Sequence, residues 1–554
     1  MSVDSSVIII GGGMSGIGAA VQLVRNFNTI DFEIIEKSGD VGGTWHLNTY
    51  PGCGCDVASH FYSYSFALNP EWSKVFAMQP EIHKYFKSVA EDYNITSRVR
   101  CHSVVESAHW DPDTATWLVR VLDLQTNQVR NKRCNILISA VGALSIPQVC
   151  DIPGVERFRG KLFHSAEWDH SFDWKGKDVV AIGNGCSATQ FVPAMSTGDG
   201  AVRKMTQFSR QAHWLAKREN PDYSSRFKFI MRWVPFAMRL YRWWIYWNKE
   251  MLFRGFSIET GEKIRQKWAK EAADYIRSTA PAKYRDVLVP NSVIGCKRRV
   301  NDTGYLSCLH QPNVELIHDD PIRNINEDGV ITESGRFVRA DAIVLATGFQ
   351  THKFLFPMDI RGKGGISLQQ HWDQMNRASS CAYFGTCMSG FPNFFTLMGP
   401  NTVTGHLSVV YTVECQINFI IKVIKPIMAS LGNLREPFST RKPGYDTVEV
   451  VPEAELSDNR WIQKKCKELV WSTGCTSWFI DTKTGINTQM YPDWQFLFWA
   501  RSYFVRWKDL AYTASPRFAA ANQKRLIARR SSPWFAFIVG GLLATGILAV
   551  VRSL

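Results

Sequence analysis

Two stretches of this 554-residue chain share one construction, and they limit its fold more than any other feature. "VIIIGGGMSGIGAAVQL" and "DVVAIGNGCSATQFV" each run an apolar segment into a glycine-rich turn and then into a helix-forming segment. In such a unit the helix N-terminus directs its free N–H groups and the positive end of its dipole at a pyrophosphate. In the first unit Gly11 permits the turn, Gly13 lets the backbone approach the phosphates, and Gly16 lets helix and strand pack closely. The next apolar segment, "FEIIEK", ends in Glu36, about 20 residues on, where a carboxylate accepts hydrogen bonds from ribose hydroxyls. The second unit carries Gly183, Gly185, Ser187 and Ala188. No acid ends its next strand, "VRKMTQFSR"; Arg210 stands there instead, with His213 and Trp214 after it. An acid would repel a 2'-phosphate and a guanidinium would pair with it, so the second unit predicts NADPH rather than NADH. The usual partner of a nicotinamide is a flavin, which assigns FAD to the first unit.

The expected fold is therefore α/β, with two Rossmann-like dinucleotide-binding domains, one for FAD and one for NADPH. "NILISAVGALS" and "DAIVLATGF" read as buried strands at the crossovers between them. These boundaries give a first part of the FAD domain at 1–150, an NADP domain at 151–345 and a second part of the FAD domain at 346–505. Within the NADP domain, residues 220–290 change character and read as a helical insertion. "RFKFIMRWVPFAMRLYRWWIYWNKEMLFRG" is basic and aromatic, and "EKIRQKWAKEAADYIRSTA" is amphipathic with a helical period. The insertion fits a core and lid for an active site; its basic-aromatic half also fits a membrane surface.

Residues 506–533 read as a basic linker into residues 534–551, "WFAFIVGGLLATGILAVV", eighteen residues without a charge. As a helix that run would span about 27 Å, close to an endoplasmic-reticulum bilayer. It predicts a single-pass C-terminal transmembrane anchor. Lys524, Arg525, Arg529 and Arg530 precede it and would keep the catalytic domains cytosolic. No signal-peptide pattern precedes the first strand. The net charge of +14 suits anionic cofactors or a membrane surface, and no nucleic-acid motif accompanies it, so nucleic acid is not an expected partner. The thirteen cysteines form no framework and read as reduced thiols. Cys53 and Cys55 are spaced C-x-C, neither a redox pair nor half of a zinc site, and no metal is expected.

Between the two units lies "FRGKLFHSAEWDH". Its Phe158, Gly160, His164, Trp168 and Asp169 match F-x-G-x-x-x-H-x-x-x-W-[PD], which resembles the fingerprint of type I Baeyer–Villiger monooxygenases. "GGTWHLNTYPGCGCDVASHFYSYSF" is similar to that family's segment over the flavin, "GCKRR" to its Lys-Arg pair, and "FPNFFTLMGPNTVTGH" and "LATGF" to its downstream flavin-domain motifs. The likeness covers roughly residues 5–500. Fungal members often look like this, which by analogy suggests secondary metabolism.

The resemblance implies that FAD and NADPH act with O2 through a C4a-peroxyflavin to insert one oxygen atom beside a ketone carbonyl. It implies Arg298 and Asp56 as the catalytic pair, with Asp56 orienting the guanidinium. Cofactor contacts would come from Thr44, Trp45, Asp56, Tyr62, Lys297 and Arg298, besides the residues of the two glycine units. His164 and Trp168 would gate domain movement. The chain departs from the family at Gly54, where many members carry Arg, and at "AVG" 140–142, where Ala-Thr-Gly is commoner. Three other readings stay open. A flavin monooxygenase oxidising nitrogen or sulfur, or hydroxylating, would share both dinucleotide sites. A dithiol reductase would need a C-x-x-C. A membrane-tethered nucleotide-binding scaffold would need no Arg298–Asp56 pair.

Overall fold

The computed structural model describes residues 3–27, 31–432, 444–516 and 518–520. The run at 534–551 and half of the basic segment 506–533 lie outside these; in the described half, Leu510–Thr513 is not linker but a strand paired with Thr447–Val450. Among the described residues, no helix is long and apolar enough to cross a membrane.

Each glycine unit sits in its own sheet. The first strand, Ser5–Ile10, is buried at every position, as a strand covered on both faces must be. It pairs in parallel with Phe32–Ile35 on one side and with Val129–Ser139 on the other. Val129–Ser139 does two jobs. Its first half is an antiparallel partner of Thr116–Asp123, and its second half runs parallel to the first strand. Phe394–Thr396 and Asp359–Arg361 return to complete this eight-stranded sheet, so residues far downstream close the first domain.

The second sheet has five parallel strands in the order Val314–Ile317, Lys204–Phe208, Asp178–Ile182, Ala342–Leu345, Lys161–His164. The stretch 158–170 shows no strand period in the sequence, yet Lys161–His164 is an edge strand paired with Ala342–Leu345. Only four residues are extended before the chain turns away, too few for an alternation to register.

The insertion is helical, as expected: Ser225–Trp233, Ala237–Glu250 and Glu262–Thr279. Its attachment to the flavin-domain part includes a buried histidine–glutamate contact. His406 Nε2 lies 3.1 Å from Glu250 Oε2, and Glu250 Oε1 accepts from the Phe496 N–H at 3.1 Å. The reading of reduced thiols throughout does not hold: Cys296 and Cys475, 179 residues apart in sequence, form a disulfide with Cα atoms 6.4 Å apart. A pairing at that separation leaves no spacing signal in the sequence. Cys53 and Cys55 are buried free thiols.

Candidate active site

The first cradle is built by contact. Gly11 has φ +104°, and a Cβ there would stand 2.7 Å from the Ala140 carbonyl oxygen; a Cβ on Gly16 would stand 1.9 Å from that of Gly11. Both positions therefore require glycine. Because Gly11 meets the Ala140 carbonyl, Val141 in place of the commoner Thr leaves the contact intact. Glu36 is buried and receives the Gly12 N–H on Oε2 at 2.6 Å and the Ser38 N–H on Oε1 at 2.8 Å. Each carboxylate oxygen offers about two acceptor directions, so capacity remains for a ribose. A helix N-terminus at Met14, glycines at contact distance and a buried acid fit the adenosine half of FAD. The short helix Thr44–Leu47 stands beside this cradle, since a Cβ on Gly43 would lie 2.8 Å from the Gly13 Cα. Thr44 opens that helix at the surface. Trp45 is buried and donates its indole N–H to the Tyr62 hydroxyl at 3.1 Å.

The second cradle repeats the turn and opens the rest. Gly183, φ +110°, meets the Ala346 carbonyl as Gly11 meets Ala140. A Cβ on Gly185, however, would have nothing within 4 Å. Ser187 caps the helix Ala188–Ser196 without a side-chain hydrogen bond to it, and Ala188 is fully buried. Arg210 is exposed, just past the strand end at Phe208. Lys297 donates to Gln211 Oε1 one residue from Arg210. Two cations beside an open helix N-terminus fit the 2'-phosphate and pyrophosphate of NADPH.

Between the cradles, Arg298 and Asp56 meet although 242 residues separate them. Nε donates to Asp56 Oδ2 at 2.9 Å and Nη2 to the same oxygen at 2.6 Å. The carboxylate beside it holds the Arg298 guanidinium well above its ordinary pKa, so the cation is permanent. The pair lies in an open cleft whose other walls include Phe61, Phe256, Trp471 and Phe479. Lys249, from the end of the second insertion helix, and Arg299 also line it. Burial and the nearby Arg299 guanidinium lower the Lys249 pKa.

Sequence reasoning missed Lys249, which is one basic residue among seven in the segment 226–255, and also His406, Gln190 and Arg218. Gln190 holds the loop at the Gly54 departure: its amide takes the Gly54 N–H on Oε1 at 3.2 Å and donates to the Gly54 carbonyl at 3.0 Å. A side chain at 54 would press on Met78 Sδ at 3.1 Å. Arg218 adds a further guanidinium near Asp56. It stacks 4.5 Å over the Phe76 ring, and burial lowers its pKa while the Cys55 and Asp56 side chains raise it. No local motif marks either residue, because each reaches the site from a distant part of the chain.

The fingerprint loop bridges the two domains. Trp168 packs against Tyr50 of the flavin segment, with ring centroids 6.4 Å apart, and against Phe191 of the NADP helix at 5.7 Å. His164 accepts from the Ala166 N–H on Nδ1 at 3.1 Å and meets Phe349 edge-on; burial lowers its pKa, so it is neutral near pH 7. Away from the cleft, Asp40, His46 and His83 bring ligand atoms within 4.8 Å of one another. Asp40 already pairs with Lys87 and His83 with the Val41 carbonyl, which leaves the group a local structural contact.

Known proteins resemble this chain in sequence and in fold. Residues 4–241 match the family described as flavin-binding monooxygenase-like. A "Baeyer-Villiger monooxygenase" of Streptomyces coelicolor is 34% identical over 490 residues, 88% of each chain. Another of that name from Pseudomonas aeruginosa is 34% identical over 94% of this chain and 93% of its own. The "FAD-binding monooxygenase ktnD" of Aspergillus niger is 32% identical over 94% of this chain and 84% of its own. Bacterial and fungal relatives thus stand side by side, and they do not single out a fungal type. Among solved structures, OTEMO in complex with FAD and NADP superposes with a TM-score of 0.79 at 23% identity, covering 93% of this chain and all of that one. The closed cyclohexanone monooxygenase superposes at 0.78 and 21%, with the same coverage.

Proposed function

The chain belongs to the flavin-binding monooxygenase-like family and is an FAD- and NADPH-dependent monooxygenase; from that premise we propose that it inserts one oxygen atom of O2 beside a ketone carbonyl, giving an ester or lactone. The balance is ketone, O2, NADPH and a proton to ester, NADP⁺ and water. FAD, held by the first cradle through Gly11, Gly13, Gly16 and Glu36, would supply the oxygen-activating ring, and NADPH at the second cradle the electrons. The single observation that carries the reading is the Arg298 guanidinium, fixed by Asp56 in a cleft between the two cradles that is walled in part by Phe61, Phe256, Trp471 and Phe479. As the carbonyl carbon is attacked, negative charge grows on its oxygen, and a preorganised cation stabilises that charge in a site from which water is excluded. A guanidinium suits the task because it stays charged and offers a planar fork of donors. Asp56 keeps the fork aimed, and the apolar walls keep stray water from the reacting oxygen. Arg210 and Lys297 hold the nicotinamide cofactor by its phosphate, and Trp168 and His164 tie its domain to the flavin segment.

Oxidation of nitrogen or sulfur would use both cradles but has no carbonyl oxygen for Arg298 to stabilise. Turnover of panels of ketones, sulfides and amines under labelled O2 separates the readings. Ester carrying one labelled oxygen is expected from ketones; sulfoxide or N-oxide with no ester from any ketone would overturn the proposal.

We propose further that residues 534–551 anchor the enzyme in a membrane of endoplasmic-reticulum thickness with the catalytic domains in the cytosol. The support is the sequence itself: an uncharged run of spanning length preceded by four basic residues. Deleting 533–554 should release flavin-loaded enzyme into the soluble fraction. Aggregation or flavin loss on deletion would place that segment in the core.

A further inference from the structure

The second insertion helix, Ala237–Glu250, buries the wrong stripe for a core helix. Leu240, Trp243, Trp244 and Trp247 recur at i, i+3, i+4 and i+7, one face of a helix, and that face points to solvent. With Phe229 and Trp233 of the preceding helix Ser225–Trp233 they form an apolar surface on which all but Trp247 are 57–66% exposed. Phe236, in the turn between the two helices, is the most exposed at 73%. Isolated exposed hydrophobic residues are ordinary, but a contiguous aromatic surface of this kind marks an interaction site. The opposite stripe holds the hairpin in place. Ile245 is buried, Arg242 donates to the His60 carbonyl and to Ser63 Oγ, and Tyr241 packs against His60. The outward aromatics are therefore a fixed surface and not a frayed core.

Charge selects the occupant. From Tyr223 to Lys249 the chain has six Arg or Lys residues and no acid. Arg232 pairs with Glu71, and Arg242 is turned inward; Arg226, Lys228 and Arg239 have no ion pair among the described residues. A second copy docked about a two-fold axis would set these cations against their own equivalents. An anionic lipid surface meets them with phosphates while the headgroup–acyl boundary takes the indoles, the composition expected of an interfacial helix. A second aromatic set adjoins the first. The helix Gln495–Tyr503 starts at the Glu250 carboxylate through the Phe496 N–H, and it exposes Trp499, Tyr503 and then Phe504.

We propose that the helical hairpin 225–250 is a membrane-docking surface, seated in the interfacial layer of an anionic bilayer independently of the segment 534–551. The cleft lies at the far end of the same helix, at Lys249. Docking therefore holds the catalytic domains down on the bilayer in one orientation.

The test uses the full chain in vesicles of phosphatidylcholine and phosphatidylserine whose acyl chains are brominated near the headgroup, because bromine quenches only indoles at that depth. Tryptophan emission should be quenched. The full-chain triple variant Trp233→Phe/Trp243→Phe/Trp244→Phe, which preserves ring packing, should lose most of that quenching while keeping its flavin. Quenching should also weaken in vesicles of phosphatidylcholine alone. Equal quenching of wild type and variant would overturn the proposal, since the three most exposed indoles of the hairpin, Trp233, Trp243 and Trp244, would then lie outside the bilayer. Light scattering in vesicle-free detergent supplies the other arm: a dimer that Leu240→Glu dissolves would give the face to a second copy and overturn it equally.

Discussion

In the first cradle a Cβ on the third glycine, Gly16, would stand 1.9 Å from a backbone oxygen; in the second the corresponding residue is Ala188, whose methyl is already buried there. The first cradle's acid, Glu36, is buried and bonded to three N–H and O–H donors, whereas the second's Arg210 is exposed. The turns are nearly superimposable in logic, since Gly11 and Gly183 each meet the carbonyl of a crossover alanine. The difference lies in closure. A cradle enclosed by backbone and a buried carboxylate suits a cofactor that stays bound through many turnovers. An open helix N-terminus with an exposed cation suits one that must arrive and leave each time.

Four measurements would break or sharpen that contrast. The largest effect is expected where the cradles meet. Arg298→Ala removes the preorganised cation, and loss of one such donor typically costs about 10²–10³ in rate. Ester formation should fall by that factor, while NADPH still bleaches the flavin and hydrogen peroxide is released. Arg298→Lys should not restore ester, and Asp56→Ala should give a milder form of the same defect. Normal ester yield from Arg298→Ala would move the oxyanion role elsewhere.

Next comes closure itself. Gly16→Ala forces a methyl against backbone, at the upper end of the 1–3 kcal/mol that overpacking typically costs, or roughly 3 kcal/mol. It should yield protein short of FAD by its flavin-to-protein absorbance ratio. Gly185→Ala meets open space, so fold and flavin content should be kept and only the NADPH KM should rise. Equal flavin loss in both variants would erase the distinction between the cradles.

Arg210→Ala removes a charge-assisted contact worth about 1.5–3 kcal/mol. The NADPH KM should rise by roughly ten- to a hundredfold, with NADH unaffected. An equal loss for both cofactors would remove Arg210 from the 2'-phosphate.

The smallest effect is one of pH. Burial, with Lys297 nearby, pulls the His213 pKa down to about 4. The folded pKa lies below that of the unfolded chain, so between about pH 6.5 and 4 the unfolded state binds a proton that the folded state refuses. Stability should be full above about 6.5 and decline as pH falls toward about 4. His213→Gln should flatten part of that decline in Tm, leaving the share due to His60, which burial also holds at about 4. An unchanged profile would mean that His213 is solvated.

What the sequence determined by itself is what short-range sterics and composition determine. Gly11, Gly16 and Gly183 announce themselves because no side chain fits where their backbone must go. Glu36 is legible because one strand length places it beside the first turn. The amphipathic period of Glu262–Thr279 and the apolar crossovers are legible for the same local reason. The family resemblance implied Arg298 and Asp56 as a pair. Only the tertiary structure decided the geometry in which they meet, that Gln190 clamps Gly54, that Arg218 comes near Cys55 and Asp56, and that Cys296 joins Cys475. Each of these contacts joins residues more than 100 positions apart, and a distant contact leaves no periodicity. The face of the hairpin shows the limit most clearly. Leu240, Trp243, Trp244 and Trp247 form the same stripe whether it is turned to a core or to a surface, because helical period fixes which residues share a face, and packing alone fixes what that face meets.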